Sequence, residues 1–279
     1  MKKKIILVTL CTVMVMSLVA CNNRENEKDV TTQNIEEKDT TLSVEPETTT
    51  KPQEVTTEEV TTVVSPVERV EDFDINAAMV DLSGDELIEG DDFSDAVFVG
   101  DSRTEALSVY HVLDTSTILA TRGLTSIKIM EDKFIDLGNG TKGTVIDYLK
   151  LHKFNRIYIM FGINEVGCDI DSFKHSYKAF IEAIKEVQPD IDIYIQSIIP
   201  MEEGRTDEIY NNEVIAKFNV ALGEISTEEK VPMLNVSAAV VGEDGTLQPE
   251  LSRDGVHLTT KGLKKYLNYL ILATDELSR

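Results

Sequence analysis

The chain carries 279 residues, with 27 Lys and Arg against 50 Asp and Glu, a formal net charge of -23 at pH 7 and no tryptophan. Phosphate backbones are held by clustered Lys and Arg, and the sequence has no such cluster, which excludes nucleic acid and disfavours broad recruitment of anionic polymers, though not a local basic pocket. The length leaves room for one domain with a full core once the N-terminal segments are set aside.

Lys2, Lys3 and Lys4 precede an apolar run from Ile5 to Ala20 with a few small polar interruptions. That run is shorter than the ~20 residues of a spanning helix, so residues 1–20 read as an export signal rather than a permanent membrane helix. Leu18-Val19-Ala20-Cys21 resembles the lipobox of bacterial lipoproteins, in which the cysteine is lipidated and becomes the new N-terminus. The resemblance implies a lipid on Cys21 and attachment to the membrane on its extracytoplasmic side. More than one acyl chain would give firmer binding than the marginal hold of a single chain. Cys11 falls in the signal and Cys21 is consumed by lipid, so Cys168 has no second cysteine to pair with and no disulfide framework is expected. Cys168 reads as a small buried filler and is given no chemistry.

Residues 21–72 are rich in Thr, Glu and Val with scattered Pro, and from residue 22 onward hold Arg24, Lys28, Lys38, Lys51 and Arg69 against 14 acids. Such a segment buries too little apolar surface to offset the entropy of ordering, and it reads as a disordered acidic tether. The competing idea of a binding module lacks the aromatic and glycine punctuation it needs.

Residues 73–279 read as the catalytic domain. From Asp95 onward, short apolar runs alternate with amphipathic segments. The candidate strands are 96–99, 117–120, 156–161, 191–199 and 231–236. The candidate helices are 104–110, 144–152, 172–187, 211–226 and 260–277. In the third helix Phe173, Tyr177, Phe180, Ile181, Ile184 and Val187 recur at spacings of three and four, which makes one apolar stripe. Nearly all-apolar strands alternating with helices imply a parallel sheet covered on both faces, hence a three-layer α/β/α domain. Sites in such sheets lie beyond the carboxyl ends of the strands. Asp101-Ser102, Gly123 and Gly162-Ile163-Asn164 each follow a predicted strand, and His257 follows the fifth and precedes the last helix.

A serine hydroxyl is a weak nucleophile until a base takes its proton. Of the four histidines, His111, His152 and His175 read as surface or helix-end residues. His257 has Asp254 three residues earlier, within reach across a turn to hold the ring and stabilise the imidazolium. An acyl-transfer site also needs fixed donors for the developing oxyanion. The backbone N–H groups of Ser102 and Gly123 and the amide of Asn164 suit that role. Each of these residues alone is equally a turn former or a helix cap, and Arg253-Asp254-Gly255 alone is equally a solvated turn. Their order, each after its own strand, is what turns alone do not supply.

At these residues the chain resembles the SGNH hydrolases, the GDSL-like esterase and lipase superfamily. Gly100-Asp101-Ser102-Arg103 matches the first block, Gly123 the second, Gly162-Ile163-Asn164-Glu165 the third and Asp254-Gly255-Val256-His257 the fifth. The resemblance spans Asp95 to about Leu272. It implies a flavodoxin-like sheet of five parallel strands and ester hydrolysis through an acyl-serine, without metal or other cofactor. Ser102 is then the nucleophile and first oxyanion donor, Gly123 and Asn164 the other donors, and Asp254 and His257 the acid and base. Two positions depart from the pattern, Arg103 for the usual Leu and Glu165 for the usual Asp, and the second puts in question how the Asn164 loop is braced. Arg103 and Arg122 are candidates to face the mouth and meet an anionic part of the substrate, with a solvent-exposed or salt-bridged role of equal standing.

The expected activity is esterase action on O-acetyl groups of cell-wall or other polysaccharide, with no obligate protein partner. Three rivals remain: a lipid-acyl or lysophospholipid esterase, transfer of the acyl group to a sugar rather than to water, and a non-catalytic binding module on the same fold.

Overall fold

The computed structural model describes residues 86–87, 90, 92–138, 140–205 and 207–277. The signal, Cys21 and the acidic tether lie outside the described residues. Within them, no helix is long and apolar enough to cross a membrane.

Five parallel strands form the main sheet: β1 (Ala96–Gly100), β2 (Thr117–Ala120), β5 (Arg156–Met160), β6 (Asp192–Gln196) and β7 (Met233–Leu234), in the order β2-β1-β5-β6-β7. This is the flavodoxin-like order, with the chain reversing its direction of travel across the sheet at β1. The register aligns the strand ends, because Gly100 pairs with Ala120 on one side and Met160 on the other. The segments that leave β1, β2 and β5 therefore emerge side by side at one edge.

Alternate residues of the strands enter two cores. Val97, Val99, Ile157, Ile159, Ile193 and Ile195 face one side, under α2 (Val145–Leu151), α3 (Ile170–Val187) and α4 (Asn212–Glu229). Ala96, Phe98, Tyr158, Met160 and Tyr194 face the other, under α1 (Ser102–Val109) and α5 (Thr260–Leu277). Both faces are covered, as a parallel sheet requires. Phe98, Tyr158 and Tyr194 are register partners on neighbouring strands, and their rings stack at 4.8 and 5.0 Å. The Tyr158 hydroxyl meets Thr274 Oγ1 at 2.8 Å, so α5 is pinned to the middle of the sheet. On the opposite face the α3 stripe from Phe173 to Ile184 is fully buried. At ~1.5–3 kcal/mol for each large apolar side chain, that stripe far outweighs the Lys174–Glu224 and Lys178–Glu228 ion pairs between α3 and α4 at the surface.

Three departures from the expectation have a clear physical reason. The fourth strand stops at Gln196 rather than residue 199, because side chains of α4 replace a neighbouring strand. Asn219 accepts from the Ile198 N–H at 2.7 Å and donates to the Ile198 carbonyl at 2.9 Å, and Asn212 does the same for Met201 at 2.8 and 2.9 Å. The fifth strand contracts to two residues, with Pro232 before it contributing only its carbonyl, to Ile195. A two-stranded antiparallel hairpin, β3 (Ile135–Asp136) and β4 (Lys142–Gly143), has no counterpart in the sequence reading; two-residue strands are too short to show a period of two.

Candidate active site

Ser102 is the first residue of α1, and its placement begins with Gly100. A Cβ on Gly100 would lie 2.7 Å from the Met160 carbonyl and 2.2 Å from Thr104 Oγ1, so only glycine lets the chain turn this closely from strand into helix. Asp101 then caps the helix, its Oδ1 accepting the Arg103 N–H at 2.8 Å. The cap leaves the Ser102 side chain at the strand-end edge and its N–H among the first helical amides, which have no intrahelical acceptor.

Across that edge, Ser102 Oγ lies 2.9 Å from His257 Nε2, and His257 Nδ1 lies 2.9 Å from Asp254 Oδ2. Asp254 Oδ1 also accepts the N–H groups of Val256 and His257, at 3.0 and 2.9 Å. The carboxylate thus folds the turn that carries its own histidine. Partial burial pushes the Asp254 pKa up, but bonds from the His257 backbone and ring and from Val256 outweigh it, and the net shift is downward. Asp254 therefore stays an anion, which selects a ring with its proton on Nδ1 and a free lone pair on Nε2 facing the serine. The His257 side chain is 35% exposed and that of Asp254 52%, so the triad lies at a rim open to solvent.

The other predicted donors lie on the turns that leave the neighbouring strand ends. Gly123 has φ +75° in the turn closed by Leu124 N–H to the Thr121 carbonyl at 3.2 Å, a conformation that favours glycine. Asn164 Nδ2 donates to the Leu124 carbonyl at 3.0 Å, and the second amide hydrogen is left for another acceptor. Sequence reasoning did not foresee what joins these turns. Glu165 is fully buried, its Oε1 accepting the Ser126 N–H at 2.6 Å and its Oε2 the Gly162 N–H at 3.1 Å. The departure from the family's aspartate at this position was the signal that pointed to it.

The two arginines part company. Arg103 does not face the mouth. It is 6% exposed, with Nη1 donating to the Ile199 carbonyl at 2.7 Å and with Nε and Nη2 lacking partners among the described residues. As the second residue of a short helix seated on the sheet, its side chain runs under the segment after β6 rather than outward. Burial draws its pKa down to about 10, against the opposing pull of the Asp101 and Asp254 carboxylates. Arg122 is exposed, next to Gly123. The remaining histidines stand apart from the triad: His111 pairs with Asp114 at 3.2 Å, His152 stacks on Tyr148, and His175 lines a surface cleft with Ile127 and Asp171. Cys168 is half-buried, its N–H bonded to the Glu165 carbonyl at 2.7 Å. Among the described residues no group of three or more His, Cys, Asp or Glu side chains is placed to hold a metal ion.

A hydroxyl, an imidazole and a carboxylate in hydrogen-bonded series, beside turns that present amide donors, can carry out acyl transfer. Similar solved structures include a GDSL-like lipase from Bacteroides thetaiotaomicron, 19% identical over 74% of this chain and 98% of that one, with a TM-score of 0.50. A Bacteroides fragilis protein named as an acylhydrolase is 21% identical over 70% of this chain and 93% of that one, with a TM-score of 0.51. At these identities the likeness is one of fold. A search among curated proteins found no match. The sequence signature of the GDSL-like lipase/acylhydrolase family matches residues 82–265, most of the chain, and the protein therefore belongs to that family of carboxylic ester hydrolases.

Proposed function

We propose that this protein is an extracytoplasmic, lipid-anchored serine esterase that removes small acyl groups, O-acetyl above all, from cell-wall or other polysaccharide. The observation that carries the reaction is the pair of 2.9 Å contacts running Ser102–His257–Asp254. His257 Nε2 takes the hydroxyl proton as Ser102 Oγ attacks the ester carbonyl. The N–H groups of Ser102 and Gly123 and the free amide hydrogen of Asn164 receive the oxyanion. The imidazolium returns the proton to the leaving alcohol, and water then repeats the sequence on the acyl-serine. An exposed rim suits an ester projecting from a large hydrated polymer, and the exposed Arg122, next to Gly123, is the candidate to meet an anionic part of such a substrate. The location rests on the signal-like residues 1–20 and on Cys21.

The test compares the purified protein with Ser102→Ala on p-nitrophenyl acetate, then on acetylated xylan, acetylated peptidoglycan and esters of increasing acyl length. A loss of ~10^4-fold or more in kcat is expected for the alanine variant. Equal background rates for both proteins would establish a binding module instead, and a preference for long acyl chains would establish a lipid esterase.

A further inference from the structure

We infer that Glu165 is a positioning residue that locks the two donor-bearing turns together, so that Gly123 and Asn164 present one preformed oxyanion hole. The inference rests on the esterase reading above and adds to it the device that holds the donors still.

The turn after β2 and the turn after β5 are tied in both directions. Asn164, from the second, donates to the Leu124 carbonyl of the first at 3.0 Å. Glu165, its neighbour, accepts the Ser126 N–H of the first turn at 2.6 Å and the Gly162 N–H of its own turn at 3.1 Å. Ser126 Oγ meets Ser176 Oγ on α3 at 3.2 Å, so the clamp is anchored to a buried-stripe helix. Donors lower the barrier of acyl transfer only if fixed before the charge develops, and a displacement on the order of 0.5 Å forfeits much of the effect.

The carboxylate suits this role best, because each oxygen accepts a backbone N–H and an ionised acceptor makes the stronger bonds. Desolvation raises the Glu165 pKa to about 7, the bonds from Ser126 and Gly162 offset only part of the rise, and the Asp101 carboxylate adds to it. Titratable groups near it include Cys168, whose N–H bonds the Glu165 carbonyl, and the phenols Tyr177 on α3 and Tyr210 before α4, whose own pKa values are raised by burial and by this carboxylate among other neighbours. The clamp is therefore complete above neutral pH and loosens as pH falls.

Three proteins decide the matter: the parent, Glu165→Gln and Glu165→Asp, assayed for kcat and KM on p-nitrophenyl acetate and for inhibition by phenylboronic acid, whose tetrahedral serine adduct fills the hole. Glu165→Gln is expected to lower kcat by ~10^2-fold and to weaken boronate inhibition by a similar factor, with KM within about twofold. Glu165→Asp, which keeps the charge, should recover part of the lost kcat. As pH falls through about 7, the parent's log kcat/KM should show an additional loss that the glutamine variant lacks. Should Glu165→Gln fail to fold, Glu165→Asp decides: its shorter side chain cannot reach both N–H groups unshifted, and kcat and boronate inhibition equal to the parent's would overturn the inference. Unchanged kcat and boronate inhibition in a folded Glu165→Gln protein would overturn it too while Ser102→Ala remained inactive. A parent no faster than Ser102→Ala would instead defeat the esterase reading.

Discussion

Replacing Glu165 by glutamine removes a proton-binding group whose affinity differs sharply between the folded and unfolded chain. Its pKa rises from 4.5 to about 7 on folding, because the carboxyl leaves water for a fully buried position. Between those values the folded chain holds a proton that the unfolded chain has lost. Stability from this group is thus fully present below pH 4.5 and is lost as pH rises through 7. A shift of this size corresponds to about 3 kcal/mol in all, of which roughly 2–3 kcal/mol falls between pH 5 and pH 8. The assay is urea unfolding of the parent and of Glu165→Gln, followed by far-UV circular dichroism at several pH values across that window. All other titrating groups cancel in the difference, so the stability advantage of the parent should shrink by that amount as pH rises. The same pH change should raise catalysis, since the ionised form closes the clamp. Identical pH dependence of unfolding in the two proteins would show that Glu165 is ionised across the whole window, and the reasoning from burial would be wrong.

Asp254→Asn leaves the turn nearly isosteric but releases His257 from the tautomer that faces Ser102, and kcat should fall by ~10^2–10^4-fold in steady-state ester hydrolysis, with KM little altered. Asn164→Ala removes one oxyanion donor together with its bond to Leu124, and a drop of ~10^2–10^3-fold in kcat is expected in the same assay. Gly100→Ala drives a methyl group into the Met160 carbonyl, and a loss of ~1–3 kcal/mol or more should appear as a lower midpoint in urea unfolding. Cys21→Ala should move the protein from the membrane fraction to the soluble fraction, and retention in the membrane would mean that an uncleaved signal is the anchor.

The sequence by itself settled what depends on local pattern. Periodicity placed the α3 stripe and the buried strands, and turn residues at strand ends marked Ser102, Gly123, Asn164 and the Asp254–His257 pair. Family likeness carried the sheet order, which no local pattern contains. Only the tertiary structure decided what depends on a partner distant in the chain. The segment from Ile198 to Met201 has the composition of a strand, yet Asn219 and Asn212 take up its backbone groups, and nothing local announces that. Arg103 has the chemistry of a rim residue, but the carbonyl that holds it belongs to Ile199, 96 positions away. Glu165 reads as a small change of length at a loop. Its meaning comes from an N–H at Ser126, 39 positions earlier, that folding brings to 2.6 Å. Hydrophobic period and turn chemistry are short-range and are written in neighbouring residues, whereas the pairing of a buried charge or amide is fixed only when distant segments close around it.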